Sequence, residues 1–440
     1  MKMRTNKGYL YKEDGMEEKW TLDYAEKLDE KDVLSGYKEE FYLPEHLYYE
    51  ANGLGPMSKR SEATMKRVAS EWKDLLVAGW FAGEIPWFYY PERLAGMEQE
   101  LVGAVDGEVI INGTTTTNIH CVLSAFYQPR GKRTKILCDS QIFSTDKYAV
   151  DAQVRLKGLD PEEEVILGGG DGLILDEKKI VEEMTSEVAL VFLGSVIHTT
   201  GQLLDVEYLT EEAHKRGIQI GFDLSHSAGV VPHKLHEWGV DFAVWCNYKY
   251  LNGGLGCPAS LFIHEAHFDM EPALPGWHGF RKAKQFQKLP RFEAETGAGG
   301  WQHGSPLILN MAPLEGALDM VREAGIERIR RKSLDMTGYL MDLIEERLVD
   351  LGTEIVTPRE ESRRGGHVTI LHAASEEITE FLDNGSQLTE ELREKIMKRR
   401  RAGEKPGKKN QVRIAFSPLF SSFADVWQTA ENLYQLLKER

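Results

Sequence analysis

Between positions 105 and 265, apolar residues are gathered into seven short runs rich in β-branched and aromatic side chains. Several of these runs show no regular alternation with polar residues. Continuous apolar runs of this length are typical of strands buried on both faces of a sheet. The predicted strands are Glu108–Asn112, Thr134–Asp139, Glu164–Leu167, Val188–Leu193, Ile218–Asp223, Val240–Cys246 and Ala259–His264.

Segments with helical periodicity lie between these strands, for example Asp176–Thr185 and Val206–Arg216. Strand–helix alternation of this kind predicts an α/β fold whose mostly parallel sheet is covered by helices on both sides. We therefore predict one large α/β domain with a seven-stranded sheet over residues 46–305. The charge-rich residues 1–45 are predicted to form an N-terminal arm.

After about position 305 the pattern changes to long helical stretches followed by shorter strands. This pattern predicts a smaller C-terminal α+β domain over residues 306–440. Its predicted helices are Leu307–Ala324, Ile326–Val349 and Phe423–Leu437, and its predicted strands are Glu354–Val356, His367–Leu371 and Gln411–Phe416.

The most biased segment of the chain is Lys398–Lys409, which reads KRRRAGEKPGKK. We predict a solvated surface loop here. A basic arm that binds anions is the alternative, but twelve residues in an acidic chain favour it only weakly.

Charge and composition narrow the function classes. Lys and Arg total 53 against 70 Asp and Glu, a formal net charge of −17, so binding to a phosphate backbone is not expected. No apolar run approaches the roughly 18 residues of a membrane span, and Met1–Trp20 has no apolar signal core. The four cysteines, Cys121, Cys138, Cys246 and Cys257, form no Cys-x-x-Cys pair. We therefore expect a cytoplasmic protein without a membrane partner, a disulfide framework or a metal site.

Candidate chemistry lies just after the strands, because ligands of open parallel sheets bind outside the carboxyl ends of the strands. Lys249 follows a buried strand, where burial favours the neutral, nucleophilic form of a lysine. Asp223 is either a helix N-cap or a carboxylate that keeps a pyridine nitrogen protonated. Thr114–Thr117 are either surface hydroxyls or a phosphate cup at a helix N-terminus. Phe143 is either a core residue or a ring that stacks on a cofactor.

Each of these signals is weak alone. A phosphate cup, an aromatic plane, an acid and a lysine at successive strand ends together suggest a site for pyridoxal 5′-phosphate (PLP).

The sequence also resembles the kynureninase family of fold-type-I PLP enzymes. The most specific matching stretch is Trp245–Asn252, which reads WCNYKYLN, and the resemblance runs in register over most of the chain. Further matching stretches are Tyr49–Pro56, Gly79–Phe81, Phe143–Asp146, Thr200–Gln202, Asp223–His226, Leu274–Trp277, Arg331–Ser333, Thr337–Tyr339 and Arg413–Phe420.

The resemblance implies roles residue by residue. Lys249 matches the lysine that binds the cofactor covalently, and Tyr248 matches a tyrosine that contacts its phosphate and relays protons. Asp223 matches the partner of the pyridine nitrogen, and Arg413 matches the arginine that grips the substrate carboxylate in a bidentate fork. The other positions that match cofactor contacts are Thr115, Thr116, Phe143, Ser144, Thr145, Asp146, Ser195, His226, Trp277 and Ser305.

The chain departs from the family pattern around the aryl end of the substrate. Gly53 and Gly304 stand where serines are expected, and Ser305 stands where asparagine or threonine is expected. These changes predict a roomier pocket with weaker turnover of kynurenine, unless neighbouring residues compensate. The candidates for compensation are Trp80, His278 and His303.

The resemblance implies a homodimeric hydrolase that cleaves the Cβ–Cγ bond of L-kynurenine to anthranilate and L-alanine, within tryptophan catabolism and NAD biosynthesis. 3-Hydroxykynurenine and other γ-oxo amino acids stay open as substrates. One alternative is another fold-type-I activity, such as a class V aminotransferase or a cysteine-desulfurase-like lyase, although a desulfurase needs an exposed cysteine. The other alternative is a non-catalytic homologue, against which the intact set of Lys249, Asp223 and Arg413 argues.

Overall fold

A computed structural model of the chain describes residues 19–386, 389–402 and 409–439. The strands in chain order are β1 (Val109–Asn112), β2 (Lys135–Asp139), β3 (Val165–Gly168), β4 (Val188–Gly194), β5 (Gln219–Asp223), β6 (Phe242–Trp245), β7 (Ala259–Ile263), β8 (Glu354–Ile355), β9 (Val368–His372) and β10 (Asn410–Ile414). The α-helices are α1 (Leu22–Glu30), α2 (Lys59–Leu75), α3 (Tyr90–Val102), α4 (Thr115–Phe126), α5 (Ser144–Leu156), α6 (Pro161–Glu164), α7 (Glu177–Glu183), α8 (Val206–Lys215), α9 (Ile308–Ala324), α10 (Ile326–Arg347), α11 (Ser375–Asp383), α12 (Glu390–Ala402) and α13 (Phe423–Glu439).

The large sheet has seven strands in the order β1-β7-β6-β5-β4-β2-β3. Strands β2 to β6 are parallel where they pair, whereas β7 is antiparallel to both β1 and β6. The predicted mostly parallel sheet is thereby confirmed, and each predicted strand agrees with an observed one to within two residues. Because β1 to β6 point the same way, the segments that follow them emerge at one edge of the sheet.

The smaller sheet is antiparallel, in the order β10-β9-β8, and confirms the predicted C-terminal α+β unit. Along β10 the side chains alternate: Val412 and Ile414 are buried in the core under this sheet, and Arg413 between them is half-buried. The alternation follows from the two-residue period of a strand. It turns Arg413 away from that core.

Three apolar cores stabilise these layers among the described residues. Two lie on the two faces of the large sheet, one of them taking in most of the apolar face of α9, and the third packs α10, α11 and α13 against the small sheet. The domain boundaries drawn from the sequence stay a prediction.

The part of the predicted N-terminal arm that is described is fixed to the C-terminal helices. Residues 1–18 of the arm lie outside the described residues. Helix α1 packs on α13, and the Asp29 carboxylate accepts hydrogen bonds from the first backbone N–H groups of α13, at 2.6 Å from Phe423 and 2.9 Å from Ala424. Lys332 and Asp32 form a buried ion pair at 2.6 Å.

The prediction for the basic segment is wrong for residues 398–402, which form the end of α12 rather than a loop. Lysine and arginine are good helix formers, so a run of them continues a helix as readily as it ends one. Residues 403–408 of the segment lie outside the described residues.

A buried carboxyl lies beneath the strand that leads to Lys249. Glu98 on α3 is fully buried, next to Trp245 at the end of β6 and Ser260 on β7. Burial raises the pKa of Glu98 to about 8, and the polar neighbours offset this only in part. The carboxyl is therefore mostly protonated at pH 7.

Candidate active site

The segments that follow β1, β2, β4, β5 and β6 meet at the carboxyl edge of the large sheet. Lys249 lies in the turn after β6, and its Nζ is 3.0 Å from Nε2 of His226, which follows β5. His226 is almost completely buried, and burial together with the Lys249 charge holds its pKa well below the usual range. The neutral imidazole therefore accepts a hydrogen bond from the lysine.

Asp223 ends β5 and faces a second carboxyl. Its Oδ1 accepts a hydrogen bond from the Ser225 backbone N–H at 2.7 Å, so Asp223 caps a turn. The alternative of a helix N-cap is wrong, because β5 is followed by turns and not by a helix. Asp146 on α5 is buried and hydrogen-bonded to Asp223. Burial and the neighbouring Asp223 charge raise the pKa of Asp146 well above its usual range. The buried carboxyl of Asp146 is therefore held toward its protonated form.

The threonine run forms the N-terminus of α4. Thr114 is the N-cap, and its Oγ1 accepts a hydrogen bond from the Thr117 backbone N–H at 3.2 Å. Thr115 is half-buried, and its hydroxyl lies 3.0 Å from the Cys246 thiol, next to the lysine turn. Thr116 is also half-buried. Backbone N–H groups and hydroxyls at the start of a helix bind phosphate, so this end of α4 is suited to an anion.

Phe143 is not a core residue, since 45 % of its side chain is exposed. It precedes α5, whose first turn contains the half-buried Thr145 and the exposed Ser144. Its ring meets the His198 ring edge-to-face, with centroids 5.2 Å apart. Ser195, by contrast, is fully buried, and its hydroxyl bonds the Ser227 hydroxyl at 2.8 Å.

A cavity of about 600 Å³ opens beside this edge. Arg413 reaches it from β10, and its Nη1 donates to the His198 carbonyl at 3.3 Å. Within the described residues, no carboxylate lies within ion-pair distance of Arg413. Glu50 also lines the cavity; burial raises its pKa, and the Arg413 charge opposes that shift. Phe143 and His198 form the wall between this cavity and the sheet edge.

Four of the predicted residues lie together but away from the cavity lining. His303 bonds Asn112 at 3.1 Å and the Cys121 thiol at 3.0 Å, so both ring nitrogens are engaged. Trp80 packs near His278, with ring centroids 6.4 Å apart, and Trp277 packs edge-to-face on another aromatic ring while 47 % exposed. Ser305 is exposed.

The remaining glycine substitutions differ in their surroundings. A side chain at Gly53 would meet the Glu50 carboxylate at 2.8 Å, whereas one at Gly304 would meet nothing within 4 Å.

Sequence reasoning missed three residues that the structure brings to the site: Glu50, His198 and Cys246. Glu50 and Cys246 lie within stretches recognised as matching, so their contacts were the missing information. His198 lies just before the matching stretch Thr200–Gln202, and its position after β4 was the signal that could have identified it.

The donor set fits PLP. A helix N-terminus with hydroxyls suits the phosphate, an exposed aromatic ring suits a flat heterocycle, a carboxylate suits a protonated ring nitrogen, and a half-buried lysine suits an aldehyde. Thr115, Phe143, Asp223 and Lys249 supply these four features at one sheet edge.

Comparisons with known proteins agree with this assignment. A family profile described as the kynureninase C-terminal domain matches residues 329–433. A kynureninase of Geobacillus thermodenitrificans is 44 % identical over 96 % of this chain and 95 % of its own length. Among solved structures, an apo cysteine desulfurase from Thermococcus onnurineus NA1 matches with a TM-score of 0.73 at 18 % identity, covering 92 % of this chain and 98 % of the other. A C-DES mutant with glycine covalently linked to the PLP cofactor matches with a TM-score of 0.72 at 14 % identity, covering 91 % and 98 %. At such identities the two structures establish the fold.

Proposed function

The chain belongs to the kynureninase family, and from this premise we propose that it hydrolyses the Cβ–Cγ bond of L-kynurenine, releasing anthranilate and L-alanine. The observation that carries the proposal is that Lys249 and Asp223 lie at the carboxyl edge of the large sheet and Arg413 lines the cavity beside it, in a chain 44 % identical to a kynureninase over nearly its full length. Related γ-oxo amino acids, including 3-hydroxykynurenine, belong to the same proposed substrate class.

The cofactor is PLP, which when bound supplies an electron sink for the charge left by removal of the substrate α-proton. Lys249 would hold it covalently, and Asp223 would keep its ring nitrogen protonated. The N-terminus of α4, with Thr115 and Thr116, would bind its phosphate, and Phe143 would cover its ring.

Protons at the substrate are moved by residues of the lysine turn. We assign removal of the α-proton to the Lys249 amine, whose hydrogen bond to neutral His226 fixes its position. We assign protonation of the alanine fragment at Cβ to Tyr248 or Lys249. Burial and the nearby Cys246 raise the pKa of Tyr248, so its hydroxyl stays protonated and can act as an acid. Each such proton transfer contributes on the order of 10²–10⁴ in rate.

Arg413 would bind the substrate α-carboxylate. The guanidinium faces the cavity without an ion-pair partner among the described residues, and a fork of N–H donors matches a carboxylate. Its bond to the His198 carbonyl uses one donor and leaves the others for substrate.

Another fold-type-I activity is not favoured. The curated relatives that match over the whole chain are kynureninases. All four cysteines are buried, whereas a desulfurase needs an exposed one.

We further propose a homodimer in which Trp80, Trp277, His303 and Ser305 contribute to the partner's site. Their distance from the cavity lining of their own chain and the exposure of Trp277 support this arrangement. We propose a cytoplasmic location and a role in tryptophan catabolism and NAD biosynthesis. Four free thiols suit a reducing compartment. No described helix is long and apolar enough to cross a membrane.

The test is incubation of the purified, PLP-loaded protein with L-kynurenine while anthranilate fluorescence is followed. We expect a steady increase that Lys249→Ala abolishes. A wild-type protein that carries PLP but releases no anthranilate would contradict the proposal.

A further inference from the structure

His198 lies where the cavity meets a narrow crevice at the edge of the large sheet. It lines the 600 Å³ cavity that Arg413 enters, and it also lines a narrow crevice that contains Asp223 and His226. Its ring is held edge-to-face against Phe143 and lies 6.1 Å from the His226 ring, centroid to centroid. A group attached to a cofactor in the crevice and extending into the cavity would pass this ring.

The imidazole nitrogens of His198 are available for chemistry. Throughout the described residues, His198 accepts hydrogen bonds through its backbone carbonyl, and its ring nitrogens make none. Burial and the Arg413 and Lys249 charges lower the pKa of His198 to about 4, so the ring is neutral at pH 7. A neutral imidazole presents one donor and one acceptor nitrogen. The titratable groups around it are Arg413, Lys249, Asp223, His226 and His367.

The proposed reaction needs a proton acceptor at the ketone carbon as well as at the α-carbon. Water must add to Cγ, and the acceptor for its proton has to face the space occupied by the ketone. Lys249 and Tyr248 are already assigned to the α- and β-carbons. Glu50 is the rival proton acceptor, but it lines only the cavity, whereas His198 lines both the cavity and the crevice.

We propose that His198 is a catalytic residue that accepts the proton of the attacking water; this rests on the proposed function. As the water oxygen bonds to Cγ, a water proton passes to the free imidazole nitrogen and the carbonyl electron pair moves to the ketone oxygen. When the C=O bond re-forms, the Cβ–Cγ bond breaks and its electron pair stays with Cβ. Cβ takes a proton from Tyr248 or Lys249. The proton held by His198 then replaces the one that Tyr248 or Lys249 gave up, so protons balance.

The test uses His198→Gln in the PLP-loaded full chain, with His214→Gln as the matched control. His214 lies on α8 and bonds Asp241, whose carboxylate also binds the start of β5 at the opposite edge of the sheet. Three quantities are measured: anthranilate release from L-kynurenine, exchange of the α-hydrogen of L-alanine with deuterated solvent, and PLP affinity.

We expect His198→Gln to lower kcat about 10²–10⁴-fold, the usual contribution of a general base, with α-hydrogen exchange and PLP affinity unchanged. His214→Gln should match the wild type in all three. Should His198→Gln fold poorly, His198→Ala with added imidazole replaces it, and recovery of anthranilate release with imidazole concentration is the expected result.

Four results would overturn the inference. Wild-type kcat in His198→Gln removes the role. A large loss of kcat in Glu50→Gln that His198→Gln does not share would remove it as well. Joint loss of anthranilate release and α-hydrogen exchange would make His198 a cofactor-holding residue instead. If the wild type itself exchanges the α-hydrogen but releases no anthranilate, the proposed function fails, and the inference falls with it.

Discussion

Replacing Glu98 with glutamine should remove a pH-dependent loss of stability. The folded protein keeps the Glu98 proton up to about pH 8, whereas an unfolded chain releases it near pH 4.5. Between these values the native state binds a proton that the unfolded state lacks, so stability falls as pH rises. The stabilisation is fully present below pH 4.5 and is lost by the time the pH passes 8. Glutamine has nearly the same shape and does not titrate.

The size of the effect follows from the pKa difference. Each pH unit between the two pKa values is worth about 1.4 kcal/mol, so about 2–3 kcal/mol is lost between pH 6 and pH 8. At an unfolding entropy of about 2.1 cal/mol/K per residue, a chain of this length changes Tm by roughly 1 °C per kcal/mol. We therefore expect Glu98→Gln to gain about 2–3 °C on the wild type over that range.

The assay is thermal unfolding of wild type and Glu98→Gln at half-unit pH steps from 6 to 9, followed by circular dichroism. Glu100→Gln serves as the control, because Glu100 is exposed on the same helix. Its Tm difference from the wild type should stay constant with pH. A difference between Glu98→Gln and wild type that is equally constant would refute the reasoning, since it would mean that Glu98 does not titrate between the two states.

The remaining predictions concern the site. Lys249→Ala should keep its fold and lose the cofactor adduct; mapping that adduct to another lysine after borohydride reduction would show the assignment to be wrong. Asp223→Asn should bind PLP but be nearly inactive, because an amide cannot hold the ring nitrogen protonated; activity within about threefold of wild type, under about 1 kcal/mol, removes that role. Arg413→Lys should raise KM about tenfold or more for every amino-acid substrate, as a charge-assisted hydrogen bond worth 1.5–3 kcal/mol is lost; an effect confined to aromatic substrates argues against carboxylate binding. With Gly304 and Ser305 in the pocket, we expect similar kcat/KM values for kynurenine, 3-hydroxykynurenine and a non-aromatic γ-oxo amino acid. A kcat/KM for kynurenine of about 10⁵ M⁻¹s⁻¹ that exceeds the values for the other two substrates would contradict this expectation.

The sheet could be predicted from the sequence because its strands are buried on both faces and read as uninterrupted apolar runs. The same signal does not contain strand direction, so the reversal of β7 was not foreseen. The end of α12 was misassigned because charge was taken as a sign of a loop, although lysine and arginine favour helix.

The site could be predicted as far as position along the chain determines it. Lys249, Asp223 and the Thr114–Thr117 run follow strands, and parallel strands bring such residues to one edge. The carboxyl pair of Asp223 with Asp146 and the place of His198 depend on contacts between separate segments, which no periodicity encodes. Arg413 was identified through resemblance alone, since its strand is short and belongs to the other sheet.

The alternation along β10 has a consequence for how this protein can change during evolution. Arg413 points to the cavity only because Val412 and Ile414 occupy the opposite face. Inserting or deleting one residue at the start of β10 would shift the register by one, turning the arginine into the core and an apolar side chain toward the substrate. Length changes in this strand should therefore survive selection in steps of two residues, even though the strand lies in a small sheet far along the chain from the lysine.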